Sequence, residues 1–395
     1  MPHLDEAFLD SADSLESLDS RGTLRALATS GAQVRRALLA AREAGIDKVA
    51  GGDRPRSVLV ASLGGTAVVC DVLDVLAEPG SPVPLTTRRE APLPGWIGPL
   101  DLVIAVSQSG RAAGPLALAA EAARRGASLL TVGAPDSPLA DVSARGRGVH
   151  VDIAVDVPTS RAALWSMLTP VLLAADGLGL IDCSEAVLER VADRLDERAE
   201  ECRPSSESFV NPAKILAVGL AETVPVVLGD GALTGVAAGR AAAMLARTAR
   251  MPATHGALPD AAAQVVACFD GPFSGSGSGG QGGVGERDIF ADPFLDGPPS
   301  PQLGLLMLRD APVETRDPGV AEAAREASRL AEAVAESARD AGVKVWEVEA
   351  LAGHPIERLA SLISLGDYVA TYLALGLGLD PAVSRHVTEL RDRTT

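Results

Sequence analysis

Short apolar runs alternate with longer stretches of helical periodicity along the whole chain. Residues 57–63 (SVLVASL), 101–106 (DLVIAV), 128–132 (SLLTV) and 149–157 (VHVDIAVDV) are too short for helices and rich in Val, Leu and Ile. Each is followed by Gly, Pro or small polar residues, and each predicts a strand. The continuous apolar character of the 101–106 run suits a strand covered on both faces. The alternation in 149–157 suits an edge strand. Between them, Ala/Leu-rich segments at 67–76, 114–126 and 159–178 predict helices, the second with Arg124 and Arg125 in its last turn and Gly126 just beyond. Upstream, 21–50 predicts a helix pair or one long helix, and the proline-rich segment 79–99 excludes regular helix.

The pattern then restarts. After a charged helix at 184–201 and a linker at 203–208, residues 224–228 (VPVVL), 303–308 (LGLLML) and 343–348 (VKVWEV) predict a second strand set, with the apolar run 262–269 grouped with it. An Ala-rich helix to about residue 247 and a final apolar helix at 356–377 complete this half. The expected fold class is therefore α/β, with two tandem domains of parallel strands flanked by helices. The expected division is an N-terminal helical arm at 1–30, a first domain at 31–203 and a second at 204–395. The Gly/Ser/Pro-rich stretch 271–301 reads as a flexible surface loop; its glycines lack the following Gly-Lys-Ser/Thr of a P-loop.

Composition narrows the partners. A net charge of −17 disfavours nucleic acid and argues for a soluble protein. No basic segment leads into an apolar one at the start, and no stretch of about 20 residues is uniformly apolar, so the expectation is a cytoplasmic protein without membrane attachment. Cys70, Cys183, Cys202 and Cys268 show no CxxC spacing and read as buried thiols of a reducing compartment. The 5 histidines show no metal-ligand spacing, so neither metal nor cofactor is expected.

Candidate chemistry lies where strands end. The 57–63 run gives way to Gly64, Gly65 and Thr66, and the 101–106 run to Ser107, Gln108, Ser109 and Gly110. In a parallel sheet both loops share the carboxyl edge, where open α/β sheets bind ligands. Hydroxyls and unpaired backbone N–H groups at the starts of the following helices favour an anion. These residues predict a phosphate cradle, against the simpler reading of Ser and Thr as turn caps.

Gly64-Gly65-Thr66 after a first strand, LPGWIGPLDLVIAVSQSG at 93–110 and SRAAL at 160–164, with NPAK at 211–214, LGDG at 228–231 and ISLGDYVATYLAL at 363–375, resemble the sugar isomerase (SIS) domain. The combination is most similar to the bifunctional phosphoglucose/phosphomannose isomerases, which carry two SIS domains. The resemblance implies a hexose phosphate ligand and a homodimer. It places Gly64, Gly65 and Thr66 on the family's Gly-Gly-Ser loop, and Ser107, Gln108, Ser109, Gly110, Arg111 and Ala112 on its Ser-Tyr-Ser-Gly-Asn-Thr loop. Two serines are kept, the threonine hydroxyl is lost at Ala112, and Arg111 brings a charge that could substitute for it. The family arginine near the sugar matches Arg161.

Aldose–ketose isomerisation needs a base to move a proton between C1 and C2, a group to open the ring, and charge stabilisation at the enediolate. Against the family pattern, Val265 stands at the position of the glutamate base. No histidine occurs at 314–316, where the family histidine falls, and Arg391 stands at the family lysine, keeping the charge without an exchangeable proton near neutral pH. His255 and Asp260 flank the base position and are the candidate substitutes; the alternative is a loop histidine and a helix cap. His354 precedes Pro355 at a predicted helix start and is a candidate for ring opening or a cap. Two readings follow: an isomerase of glucose, fructose or mannose 6-phosphate with altered catalytic groups, or a phosphosugar-binding sensor or partner protein without that chemistry. A SIS-containing transcription regulator would need a basic helix-turn-helix, which the acidic N-terminus does not supply.

Overall fold

A computed structural model describes residues 4–154, 156–274, 302–312 and 317–394. The expected loop 271–301 lies almost wholly outside the described residues, as do positions 314–316. The chain forms two compact units. One comprises Arg25–Ala199 with His354–Glu357; the other comprises Met1–Leu24, Glu200–Gly353 and Arg358–Thr395.

In the first unit, β1 (Val58–Ala61), β2 (Leu85–Arg88), β3 (Leu102–Ser107), β4 (Ser128–Gly133) and β5 (Val149–Asp152) make one parallel sheet in the order β2-β1-β3-β4-β5. Every residue of β1 and β3 is buried, as their unbroken apolar sequences require of central strands. On one face Leu59, Val103, Ala105 and Leu129 pack against Leu118, Ala119 and Ala122 of the Ala113–Arg124 helix and Leu139 of the Pro138–Arg145 helix. Alanines on that helix keep it close to the sheet. The Ser30–Glu43 and Leu164–Gly177 helices pack on each other within the same unit.

At the amino edge, the fully buried carboxylate of Asp101 accepts hydrogen bonds from Arg56 (3.0 and 2.6 Å), Ser57 Oγ (2.7 Å) and the Gly98 amide (2.8 Å). Burial pushes this carboxyl up, but the donors outweigh it and its pKa ends below the ordinary value.

In the second unit, β6 (Thr223–Gly229), β7 (Thr254–Ala257), β8 (Gln302–Arg309) and β9 (Lys344–Glu349) form a parallel sheet in the order β7-β6-β8-β9. Gly304 permits the β6–β8 crossing, where a Cβ would lie 2.6 Å from Thr223 Oγ1. The run grouped with the strands at 262–269 is a helix, Ala262–Cys268. Val265 and Phe269, four residues apart, turn inward while Ala263, Gln264 and Ala267 face out. That is helical periodicity in a stretch whose uniform apolarity disguised it.

Two strands are not legible in the sequence, β2 in the proline-rich segment and β7 (THGA). Both are edge strands, so neither needs an unbroken apolar sequence. The Pro318–Asp340 helix also joins this unit, burying Ala331, Val334, Ala335 and Ala338.

Residues up to Leu24 group with the second unit. Leu9 and Leu15 are buried, the Asp5 amide donates to the Gly376 carbonyl (3.1 Å), and Asp10 accepts from Ser208 N and Oγ. The Pro355–Gly376 helix is long and apolar enough to cross a membrane by length and composition alone; its most apolar window is wholly buried inside the protein, as expected of a core helix.

Candidate functional site

The strand register places the candidate loops of the first unit side by side. Ala61, the last residue of β1, is paired with Ala105 of β3 on one side and Arg88 of β2 on the other. The residues that follow, Ser62–Thr66 and Val106–Ala112, therefore leave the same carboxyl edge next to each other.

The Gly64–Thr66 segment is a single 3-10 turn leading into the Val68–Ala77 helix, and Gly64 has a φ of +67°, which glycine adopts without strain. Thr66 is buried, and its hydroxyl closes the turn, accepting from the Leu63 amide (3.2 Å) and donating to the Leu63 carbonyl (3.0 Å). Gly64 is exposed and Gly65 half-buried, so their backbone is the part of this turn open to a ligand.

The serine loop is more open. Ser107 Oγ accepts from the Ala112 amide (3.3 Å), which leaves its own proton to donate. Ser109 is exposed, and its Oγ accepts from the Arg111 amide (3.3 Å). Arg111 is exposed at the start of the Ala113–Arg124 helix, without an ion pair among the described residues. Gly110 takes φ +62° where the loop reverses. Gln108 Nε2 donates to the Val157 carbonyl (3.1 Å), tying the serine loop to the segment that carries Arg161. Arg161 is half-buried and interacts with a neighbour. The backbone just after it is held by fully buried Gln33, whose Nε2 donates to the Ala162 carbonyl (2.9 Å) and whose Oε1 accepts from Ser166 (3.2 Å). Gln33 is invisible in the sequence, since nothing in a helical Ala/Leu stretch marks a glutamine as buried.

Gly64, Gly65, Thr66, Ser107, Ser109 and Arg111 thus share one sheet edge, and Gln108 links Arg161's segment to it. His255 and Asp260 do not lie on that edge. They belong to the other unit, His255 in β7, where its ring lies over Gly239 (a Cβ there would be 3.4 Å from Cδ2), and Asp260 in the exposed turn before the Ala262–Cys268 helix. The residue flanking that helix is Ala261, not Asp260. Val265 is 5% exposed and packs in the core with Leu228, Leu258 and Met307; a carboxylate there would be buried among apolar side chains.

His354 sits at the start of the Pro355–Gly376 helix. Its Nδ1 accepts from the Ile356 amide (3.4 Å), and its own amide donates to Glu357 Oε2 (2.9 Å), the reciprocal geometry of a capped helix start. Burial lowers its pKa, with Asp182 and Glu357 opposing, which favours the neutral ring. Arg391 lies in the Arg385–Thr394 helix, and its side chain is outside the described residues.

The carboxyl edge of the second sheet is of a different kind. Its loop after β6 carries Asp230, which accepts from the Asp310 amide (3.0 Å), from Thr234 Oγ1 (2.9 Å) and pairs with Arg309 (3.4 Å). Arg358 forms a two-pronged pair with Asp310 (2.8 and 3.1 Å). The donors that would attract an anion there are already held by the chain's own carboxylates. Among the described residues, no group of three or more His, Cys, Asp or Glu is placed to hold a metal ion.

A parallel sheet flanked by helices, repeated in tandem, is the fold this chain shares with solved structures of SIS-type phosphosugar isomerases. The solved structures agree: a hypothetical protein from Thermus thermophilus matches at a TM-score of 0.66 with 16% identity, covering 100% of this chain and 99% of its own. Tagatose-6-phosphate ketose/aldose isomerase from Escherichia coli matches at 0.62 with 13% identity, over 92% and 95% of the two chains. More narrowly, residues 209–394 match the family of the bacterial phospho-glucose isomerase C-terminal SIS domain. The chain also resembles the bifunctional phosphoglucose/phosphomannose isomerase of Caldicellulosiruptor bescii, 24% identical over 344 residues that cover 85% of this chain and 88% of the relative.

Proposed function

We propose that the chain binds a hexose phosphate at the carboxyl edge of its first sheet and acts as an aldose–ketose isomerase of the phosphoglucose/phosphomannose class. The observation that carries this reading is the register of β1 and β3, which sets the Gly64–Thr66 turn beside the Ser107–Ser109 loop at the starts of two helices. In this reading Ser107 and Ser109 donate to the phosphate, the Gly64 and Gly65 backbone approaches it closely, Thr66 holds the turn, and Arg111 adds charge. Arg161 faces the sugar. The resemblance to the bifunctional isomerase supports glucose, fructose or mannose 6-phosphate as the substrates; of the candidates for proton transfer, His354 groups with the unit that carries this edge, whereas His255 and Asp260 belong to the other unit.

Two observations favour a second reading, in which the chain binds the sugar phosphate without turning it over. Val265, at the position of the family base, is part of the core, and His354 is engaged as a helix cap.

Proton NMR with fructose 6-phosphate in deuterated water separates the two. Deuterium appearing at C2 of an aldose product establishes a working base, and substitution of His255, Asp260 and His354 then identifies it. Sugar signals that broaden without any exchange over hours, at high protein concentration, establish binding without isomerisation. Absence of both exchange and binding, for all three hexose phosphates, removes the proposal.

A further inference from the structure

Strand β2, which the sequence does not announce, ends at this same edge. Its last residue, Arg88, is level with Ala61 and, across β1, with Ala105, so Arg89 leaves the sheet alongside the two candidate loops. One contact fixes the backbone of Arg89, and an electrostatic effect agrees with it. Its carbonyl oxygen packs on Gly114, in the first turn of the Ala113–Arg124 helix, so closely that a Cβ on Gly114 would be 1.8 Å away. Its charge also reaches Cys70, in the first turn of the Val68–Ala77 helix: burial pushes that thiol up to about 11, and Arg89 pulls against the rise. Arg89 therefore stands between the starts of the two helices that flank the cradle. It is exposed, and neither Arg88 nor Arg89 forms an ion pair among the described residues.

An arginine held by its backbone at the meeting point of two helix starts, without an ion pair among the described residues, adds to the positive ends of the two helices, against the opposing charge of Asp71 in the first turn of the Val68–Ala77 helix. In a chain of net charge −17, such a field is local, and a dianion that reaches it gains charge-assisted hydrogen bonds from a planar donor. The lost hydroxyl at Ala112 removes one neutral donor from the serine loop, and Arg111 on that loop is not the only replacement.

Resting on the phosphate-cradle reading above, we infer that Arg89, delivered by edge strand β2, is a phosphate-binding residue that selects phosphorylated over unphosphorylated sugars. The arginine comes from a neighbouring strand rather than from either loop, so a search of the loop sequences does not find it.

The test is calorimetric titration of the full chain with glucose 6-phosphate, fructose 6-phosphate and inorganic phosphate. The proteins compared are the wild type, Arg89→Gln, Arg89→Lys, Ser107→Ala and Arg145→Gln. Arg145 ends the Pro138–Arg145 helix away from the carboxyl edge, so Arg145→Gln controls for the change in net charge. The expected result is a loss of about 10-fold or more in affinity for Arg89→Gln, partial recovery in Arg89→Lys, and wild-type affinity in Arg145→Gln. The thermal midpoint of Arg89→Gln should stay near the wild-type value, because the contact with Gly114 is made by the backbone. Weakened binding in Ser107→Ala with wild-type binding in Arg89→Gln overturns the assignment of Arg89 and leaves the cradle standing. No binding of any of the three probes by the wild type overturns both.

Discussion

Gly110 and Ser137 approach so closely that a Cβ on Gly110 would lie 2.1 Å from Ser137 Oγ. The Leu139 amide donates to the Gly110 carbonyl (3.1 Å), so the serine loop is clamped to the first turn of the Pro138–Arg145 helix. Ser137 caps that helix by accepting from the Ala140 amide (3.3 Å). Loop shape and helix start are therefore one arrangement. Gly110→Ala should cost about 2–4 kcal/mol, from left-handed backbone strain and displacement of Ser137. It should weaken phosphosugar binding at the same time. Chemical denaturation and calorimetry check the two effects; a variant as stable as the wild type would show that the clamp yields easily.

The serines themselves make a smaller and more specific prediction. Ser107→Ala and Ser109→Ala should each lose about 1 kcal/mol of phosphosugar binding, and the double variant more. Stability should change little at exposed Ser109 and measurably at Ser107, which is buried and accepts from the Ala112 amide. Wild-type affinity in the double variant would remove both serines from the site.

Asp101 should make stability depend on pH. Its carboxyl is held below the ordinary 3.8 by Arg56, Ser57 and Gly98 against the opposing effect of burial. A depressed folded-state pKa contributes stability that is fully present above the unfolded value and is lost as pH falls through the folded one. Asp101→Asn should thus destabilise by about 2 kcal/mol at pH 7. The gap to wild type should narrow below about pH 4, as read from denaturation midpoints across the acid range.

Arg240 and Asp367 form a two-pronged pair (3.0 and 2.9 Å) with both side chains almost fully buried. Asp367→Leu leaves a buried guanidinium without this partner and should cost about 3–5 kcal/mol, whereas Arg240→Met with Asp367→Leu should recover much of the loss. A double variant as unstable as the single one would mean that packing, rather than charge, dominates there.

The apolar runs and helical stretches of this chain carry the α/β class, the tandem arrangement and the strands β1, β3, β4, β5, β6, β8 and β9 by themselves. Central strands must be apolar along their length, and that demand is written residue by residue. The loops that end β1 and β3 were legible for the same reason, since small polar residues directly after a buried strand mark its carboxyl edge.

What only the tertiary structure decided is what meets at that edge. Strands β2 and β7 are edge strands held by pairing on one side, so their sequences need not announce them, and with β2 came Arg89. Gln33 and Gln108 act through hydrogen bonds to carbonyls far away in sequence, a relationship that no local pattern encodes. The run at 262–269 is apolar in either conformation, and only packing against Leu228 and Met307 made it a helix with Val265 inside. Local sequence specifies strands by the solvent they must exclude; the site is specified by which strand ends become neighbours, and that follows from the order in which the sheet assembles.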